Sequence, residues 1–372
     1  MTCFQRNFII SLLLSFFLFL GYPVQAVQES ENPVVKSKKT SQKGTKKKKS
    51  KRTVKKKKQK KSPQVSPNLP SPPPRAAVSR VVERDRLLES LPLPIVVGEG
   101  GPVQSLVEDE IIHLKTVRQL LPGDEVSLQV YDLNAKKMLA DINGNVIRNA
   151  ASLIKLYVLL AVYDAIAHQE IPETPEIERH LYRMIAISDN ESTNFLIRRL
   201  GQGDAHKGMN TVNTLVRNMG FSGTRLKELI PEGGKTYGNQ TTAADTTLFY
   251  RLLYDQKLVS PQYSQKMNDI LLKNIHYRIK TTQINQDGVA VADKTGYVRG
   301  LNGDCGIVYQ RSQNSGCDYA LSIIIENKSR PSGGWGKKKT AVIRHLSNQI
   351  YQALKNGQVK SKFGSQKPEG RS

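Results

Sequence analysis

The chain has 372 residues, with 56 Lys or Arg against 32 Asp or Glu for a net charge of +24, 38% hydrophobic residues and three cysteines. That length admits two average domains, or one domain of about 250 residues with appended segments. The composition excludes a mostly disordered chain and a multi-span membrane protein. The charge is concentrated: residues 36 to 62 hold 16 basic residues and no acid, so elsewhere 40 basic residues face 32 acids, a net +8.

Residues 1–26 read as a secretory signal. Arg6 precedes an apolar run from Phe8 to Leu20, and Val24-Gln25-Ala26 closes it as a cleavage site. An uncleaved anchor is the alternative, although the run is short for a bilayer span. Cys3 precedes the run, which argues against a lipoprotein. The expected location is therefore outside the cytoplasm, periplasmic or secreted from a bacterium. Residues 27–100 contain the lysine block and a Pro-rich stretch from Ser62 to Pro74. Neither has apolar periodicity, so both read as a disordered spacer. The lysine block is also a candidate tether to a polyanionic envelope component. With no aromatic residue interleaved, specific nucleic-acid binding is not expected.

The folded domain is assigned to residues 101–356, with 357–372 a disordered tail. Apolar residues from Val103 to Leu121 recur at helical spacing and stop at Pro122-Gly123. Glu125 to Leu133 and Lys136 to Ile142 alternate as strands around a turn. An apolar helix from Ala151 to His168 follows, then helices over Glu176–Ile187, Glu191–Leu200, Thr242–Leu258 and Pro261–Lys273. Strands return at Val289–Val298, Asp304–Gln310 and Asp318–Ile325, and a helix from Lys338 to Leu354 closes the chain. This order predicts an α+β fold, an α/β sandwich. A five-stranded antiparallel sheet is flanked by the terminal helices, with an all-helical lobe formed by the middle ones. A disulfide between Cys305 and Cys317 is left open, because strand register decides it.

Three short motifs occur in order. Ser152-Leu153-Ile154-Lys155 opens the apolar helix, where three residues of helix bring Lys155 back beside Ser152. A helix N-terminus favours developing negative charge, so a serine there is placed for nucleophilic attack. Ser188-Asp189-Asn190 lies at a junction between helices. Lys294-Thr295-Gly296 lies in a late strand, where Gly296 would let a ligand approach the backbone. Each motif alone is weak, but all three in order is a coincidence on the order of one in several hundred. The six histidines (His113, His168, His180, His206, His276, His345) have no ligand-like spacing, so no metal or other cofactor is expected.

With these motifs in this order, the chain resembles the serine β-lactamase and penicillin-binding-protein superfamily, and within it the class A β-lactamase-type catalytic domain. The contexts SDNESTNFLIRRLG, TTAADTTLFYRLL and KTGYVRGLNGDCGIVY carry the likeness, over roughly residues 100 to 356. The resemblance implies a β-lactamase/transpeptidase-like fold and a monomer acting on a β-lactam or a peptidoglycan stem peptide. It implies Ser152 as the acylated nucleophile, Lys155 as its base and Ser188 as proton relay. Asn190, Lys294 and Thr295 would bind substrate, and the N–H groups of Ser152 and Tyr297 would form the oxyanion hole.

Two departures qualify that reading. The interval before Ser188 is shorter than class A enzymes have, which would open one rim of the cleft. The loop TRLKELIPEGGKTYGNQTTAAD lacks the Glu-x-x-x-Asn arrangement that activates the deacylating water. Glu228 and Glu232 are the candidate deacylation acids, with solvated loop charges as the alternative; Asn239 is too far along to pair with either by spacing. Arg299 is a candidate carboxylate contact or an exposed turn residue. The leading functional expectation is an exported class A β-lactamase-like serine hydrolase. The alternatives are a D,D-carboxypeptidase or penicillin-binding protein with slow deacylation, and a non-catalytic envelope-tethered adaptor.

Overall fold

The computed structural model describes residues 101–310 and 316–355. The proposed signal, lysine block, Pro-rich stretch and C-terminal tail lie outside the described residues. Among the described residues, no helix is long and apolar enough to cross a membrane.

Helix α1 (Pro102–Thr116) leads into strands β1 (Glu125–Asp132) and β2 (Lys137–Ile142). A short strand β3 (Arg148–Asn149) and a 3-10 turn (Ala151–Ile154) precede α2 (Lys155–Ala167), α3 (Pro175–Ala186), α4 (Asn190–Leu200) and α5 (Ala205–Asn218). After β4 (Gln240–Thr241) come α6 (Ala243–Tyr254), α7 (Pro261–Leu271) and a short α8 (Thr282–Gln286). Strands β5 (Val291–Val298), β6 (Leu301–Val308) and β7 (Tyr319–Glu326) and helix α9 (Trp335–Lys355) complete the domain.

The expected α+β architecture is present. The five strands run in the order β2-β1-β7-β6-β5, every neighbour antiparallel. One core packs the terminal helices α1 and α9 on one face of the sheet. The other core packs the middle helices on the opposite face, around α2. Helix α2 is buried on nearly all sides, as a helix apolar all round must be.

Two details differ from the sequence reading, and a third decides a point it left open. Strand β6 begins at Leu301, three residues earlier than expected, because a two-residue turn at Arg299-Gly300 joins it to β5. Gly300 takes φ +87°, and a Cβ there would lie 2.7 Å from the Asn327 carbonyl oxygen. Helix α5, capped by the Asp204 carboxylate on the His206 and Lys207 N–H groups, was not anticipated. Its Gly208 sits so close to α4 that a Cβ would lie 1.8 Å from the Ile197 carbonyl oxygen. Finally, Cys305 and Cys317 are both free thiols. Register explains why: Cys305 pairs with Ser322, five residues beyond Cys317, an offset of roughly 16 Å along a strand.

Candidate functional site

Ser152 lies in the 3-10 turn, one step before α2, and not in the α-helix itself. At three residues per turn, positions i and i+3 eclipse, so Lys155 stacks over Ser152, and the Lys155 N–H donates to the Ser152 carbonyl. The turn is held from three sides. The Asn149 side chain accepts from the Ala151 N–H at 2.7 Å, and the Ala150 N–H donates to the Asn239 carbonyl at 2.8 Å. Ala151 has φ +42°, a left-handed conformation that costs a residue with a Cβ on the order of 1–2 kcal/mol.

The third support is β5, the outer strand of the sheet. A Cβ on Gly296 would lie 2.8 Å from Leu153 Cγ and 3.1 Å from the Ala150 carbonyl oxygen. Gly296 is therefore needed for the close approach of the serine turn. We expect Gly296→Ala to fold but to displace the turn, slowing acylation of Ser152 at least about tenfold. The rate of adduct formation with penicillin G, followed by intact mass, checks this.

Ser188 sits between α3 and α4 with φ +56°. Asp189 caps α4 through the Ser192 N–H at 2.8 Å and pairs with Arg183 at 2.6 Å, which fixes the junction. Lys155, fully buried, donates to the Ser188 carbonyl (2.6 Å), Ser188 Oγ (3.1 Å) and Asn190 Oδ1 (2.8 Å). Lys294, also fully buried, donates to the same Ser188 Oγ at 3.1 Å and to the Thr295 carbonyl at 2.9 Å. Two ammonium donors fill the lone pairs of Ser188 Oγ, so its own hydrogen points away from both lysines. None of the Lys155 hydrogen bonds goes to Ser152. An ammonium has three hydrogens, and all three are spent on Ser188 and Asn190.

Burial, then the neighbouring Lys294 charge, holds the Lys155 ammonium well below its ordinary range, with Asp189 opposing. Burial likewise brings Lys294 down to about 8. Asp293 on β5 and Asp304 on β6, both buried, were missed in the sequence reading; the acid directly before Lys294 was the available signal. Asp293 accepts from Asn274 at 3.0 Å, and Asp304 from the Arg278 and Ile279 N–H groups at 2.6 and 2.8 Å. Burial raises both carboxyls, and for Asp293 the Asp304 charge adds to it. The pair therefore gives Lys294 less than a full counter-charge.

Thr295 is buried opposite Asp304, and Tyr297, 54% exposed, lies opposite Asn302. Thus Lys155, Ser188, Asn190 and Lys294 are joined by hydrogen bonds and Gly296 packs on the serine turn, while Thr295 and Tyr297 lie on the alternate face of β5. The two loop acids are placed differently. Glu228 Oε1 accepts from Thr236 Oγ1 (2.6 Å) and from the Tyr237 and Gly238 N–H groups (2.9 and 2.8 Å). These bonds hold its carboxyl below the usual range. Asn239 does pair with it after all: Asn239 Oδ1 accepts from the Lys227 and Glu228 N–H groups, and its Nδ2 donates to the Glu228 carbonyl. Spacing hid this because the chain doubles back over eleven residues. Glu232 lies exposed in a 3-10 turn. The loop residue clamped against α4 is instead Ile230, whose N–H and carbonyl are both bonded by the Asn194 side chain, at 2.9 and 2.7 Å.

A serine turn and two depressed lysines sharing one hydroxyl are thus held together on an α+β scaffold. The model of the beta-lactamase enzyme family matches residues 113–177 and 168–354, more than half of the chain, and the chain belongs to that family. No curated protein sequence matches it. Among solved structures it is similar to a variant of PBP-A in acyl-enzyme complex with penicillin G: 20% identity, 71% of this chain and all of that one, TM-score 0.56. It is similar also to a β-lactamase from Sphaerobacter thermophilus (20% identity, 67% and 97% coverage, TM-score 0.54). The TLA-1 extended-spectrum β-lactamase matches comparably (19% identity, 68% and 99% coverage, TM-score 0.56). These neighbours share the fold, that of a serine β-lactamase and penicillin-binding-protein catalytic domain.

Proposed function

We propose that the chain is an acyl-enzyme hydrolase of β-lactams and D-alanyl peptides that acylates Ser152 readily and releases the product slowly, as a penicillin-binding protein does. Family membership favours the leading expectation, a fast β-lactamase. The observation that tips the balance is the loop: the Glu228 carboxylate is engaged by loop donors, and apolar Ile230 occupies the place clamped by Asn194. Neither is suited to activate a water on the ester.

In this reading Lys155, neutral for part of the time, takes the Ser152 proton as Oγ attacks the carbonyl. The Ser152 and Tyr297 N–H groups receive the developing oxyanion. Ser188 passes the proton on to the departing nitrogen, while Lys294 and Thr295 hold the substrate carboxylate and Asn190 its amide. Water then hydrolyses the ester. An exported, envelope-tethered protein is the cellular setting of the proposal.

The test combines a chromogenic cephalosporin with intact-mass measurement after penicillin G. A stoichiometric burst and a persistent adduct, both lost in Ser152→Ala, are expected; sustained turnover with no trapped adduct would mean a fast β-lactamase. Glu228→Gln sharpens the choice. As a loop brace it should lower stability by about 1 kcal/mol and leave the adduct lifetime within about twofold of wild type. A lifetime lengthened tenfold or more would identify Glu228 as the deacylating base.

A further inference from the structure

Ser188 keeps φ +56°, a conformation that a residue with a Cβ holds only where its surroundings impose it. After it, the Asp189 N–H donates to the Arg183 carbonyl at 3.0 Å, and Lys155 donates to the Ser188 carbonyl at 2.6 Å. Before it stand the carbonyls of Ala186 and Ile187, at the end of α3, where a helix supplies no partner of its own. A distant segment supplies both. The Ile275 N–H donates to the Ala186 carbonyl at 3.0 Å, and the His276 ring bonds the Ile187 carbonyl.

That segment is itself fixed. Asn274, buried, donates from Nδ2 to the His276 carbonyl (2.6 Å) and to Asp293 (3.0 Å), and its Oδ1 accepts from the His276 N–H (3.1 Å). The Arg278 and Ile279 N–H groups donate to Asp304. Residues 274–279 are thus tied to the two buried carboxyls that act on Lys294 and to the end of α3 that carries Ser188. His276 stands where this support reaches the lysines. Partial burial, then the Lys294 charge, holds its imidazole below the ordinary range against the pull of the Ile187 carbonyl, and Arg278 and Lys155 add to the depression. The ring is therefore neutral at pH 7, and its single N–H is the hydrogen that meets Ile187.

We propose that His276 is a positioning residue for Ser188: by holding the Ile187 carbonyl it keeps the Ser188 hydroxyl between the two lysines, aimed at the departing nitrogen. The inference rests on the acyl-enzyme reading above and adds to it a residue outside the three motifs. In the step concerned, Ser152 Oγ bonds the carbonyl carbon and the C–N bond breaks. Ser188 gives its proton to the nitrogen and receives in its place the one that Lys155 took from Ser152. A thioester differs in one respect: the C–S bond breaks and the thiolate departs with the electron pair, needing no proton.

The test compares acylation of the full chain by penicillin G with acylation by the thioester of an acyl-D-alanine and mercaptoacetate. His276 is exposed, so His276→Ala should fold as the wild type does. It should slow penicillin G adduct formation about three- to tenfold, the worth of one hydrogen bond, in the limiting rate and not in the half-saturating concentration. The thioester, which needs no acid, should slow by less than about twofold. His276→Asn and His276→Gln each carry an amide N–H close to one of the two ring nitrogens, and one of them should restore the penicillin rate. Equal losses on both substrates, a loss confined to the half-saturating concentration, no loss at all, or no rescue by either amide would overturn the role. A wild type that forms no penicillin adduct would instead overturn the acyl-enzyme reading itself.

Discussion

Replacing Lys155 by methionine is expected to slow acylation of Ser152 by roughly 10²- to 10⁴-fold, the usual contribution of a positioned general base. Folding should change by no more than about 2 kcal/mol. The two expectations come from the same geometry. Lys155 is fully buried and satisfies the Ser188 carbonyl and Asn190 Oδ1, so its removal orphans two acceptors at about 1–3 kcal/mol each. It also removes an ammonium held in low dielectric beside the Lys294 cation, which offsets much of that loss. Ser188 Oγ keeps its Lys294 donor. Lys155→Arg separates proton transfer from simple charge. Guanidinium stays protonated at any working pH, so this variant keeps the positive charge yet should be as slow as methionine. Adduct formation measured by intact mass, alongside thermal unfolding, checks both. An arginine variant within tenfold of wild type would show that Lys155 acts by charge alone.

What could be read from the sequence was local. The Ser152–Lys155 pair and the Lys294-Thr295-Gly296 strand each depend on neighbours within a turn or a pleat; the strand lies where spacing placed it, and the pair one step earlier, in a 3-10 turn before the helix. The partners that tune them are remote in the chain. Gly296 meets Ala150 and Leu153, and Lys294 meets Ser188, across more than a hundred residues each. The buried Asp293 and Asp304 approach through the β5–β6 register, which a two-residue turn sets and which sequence periodicity had placed three residues late. Asn302 and Gly303, outside the strand expected from Asp304, read as turn residues. They stand instead in a central strand, where a Cβ on Gly303 would lie 3.2 Å from the Ile323 carbonyl oxygen and the Asn302 amide is anchored to α9. Likewise the loop acids were visible, but their use was not, because the donors that engage Glu228 come from a reversal of the chain at residues 236–238.

The pH dependence of acylation should be bell-shaped, with its falling limb near pH 8. Attack by Ser152 needs Lys155 neutral, and burial with the Lys294 charge shifts that form to lower pH. Carboxylate binding needs Lys294 charged, and that charge is lost at about 8. Because both lysines bond one Ser188 hydroxyl, the two limbs report the pair and not either residue alone. Lys294→Met should therefore move both limbs. The falling limb disappears, and the rising limb shifts to higher pH, because Lys155 no longer has a cation beside it. Stability carries the same signature with a definite sign. Lys294 has a folded value of about 8 against 10.5 in the unfolded chain, so between these the unfolded state binds more protons and stability rises with pH. Below about pH 8 the buried ammonium costs the fold on the order of 3 kcal/mol at the usual conversion. Denaturant unfolding at pH 7 and pH 10 should thus show a larger gain in the wild type than in Lys294→Met, where only the depressed Lys155 still contributes. Equal slopes in the two proteins would mean that Lys294 is not depressed, and the falling limb would then have to come from another group.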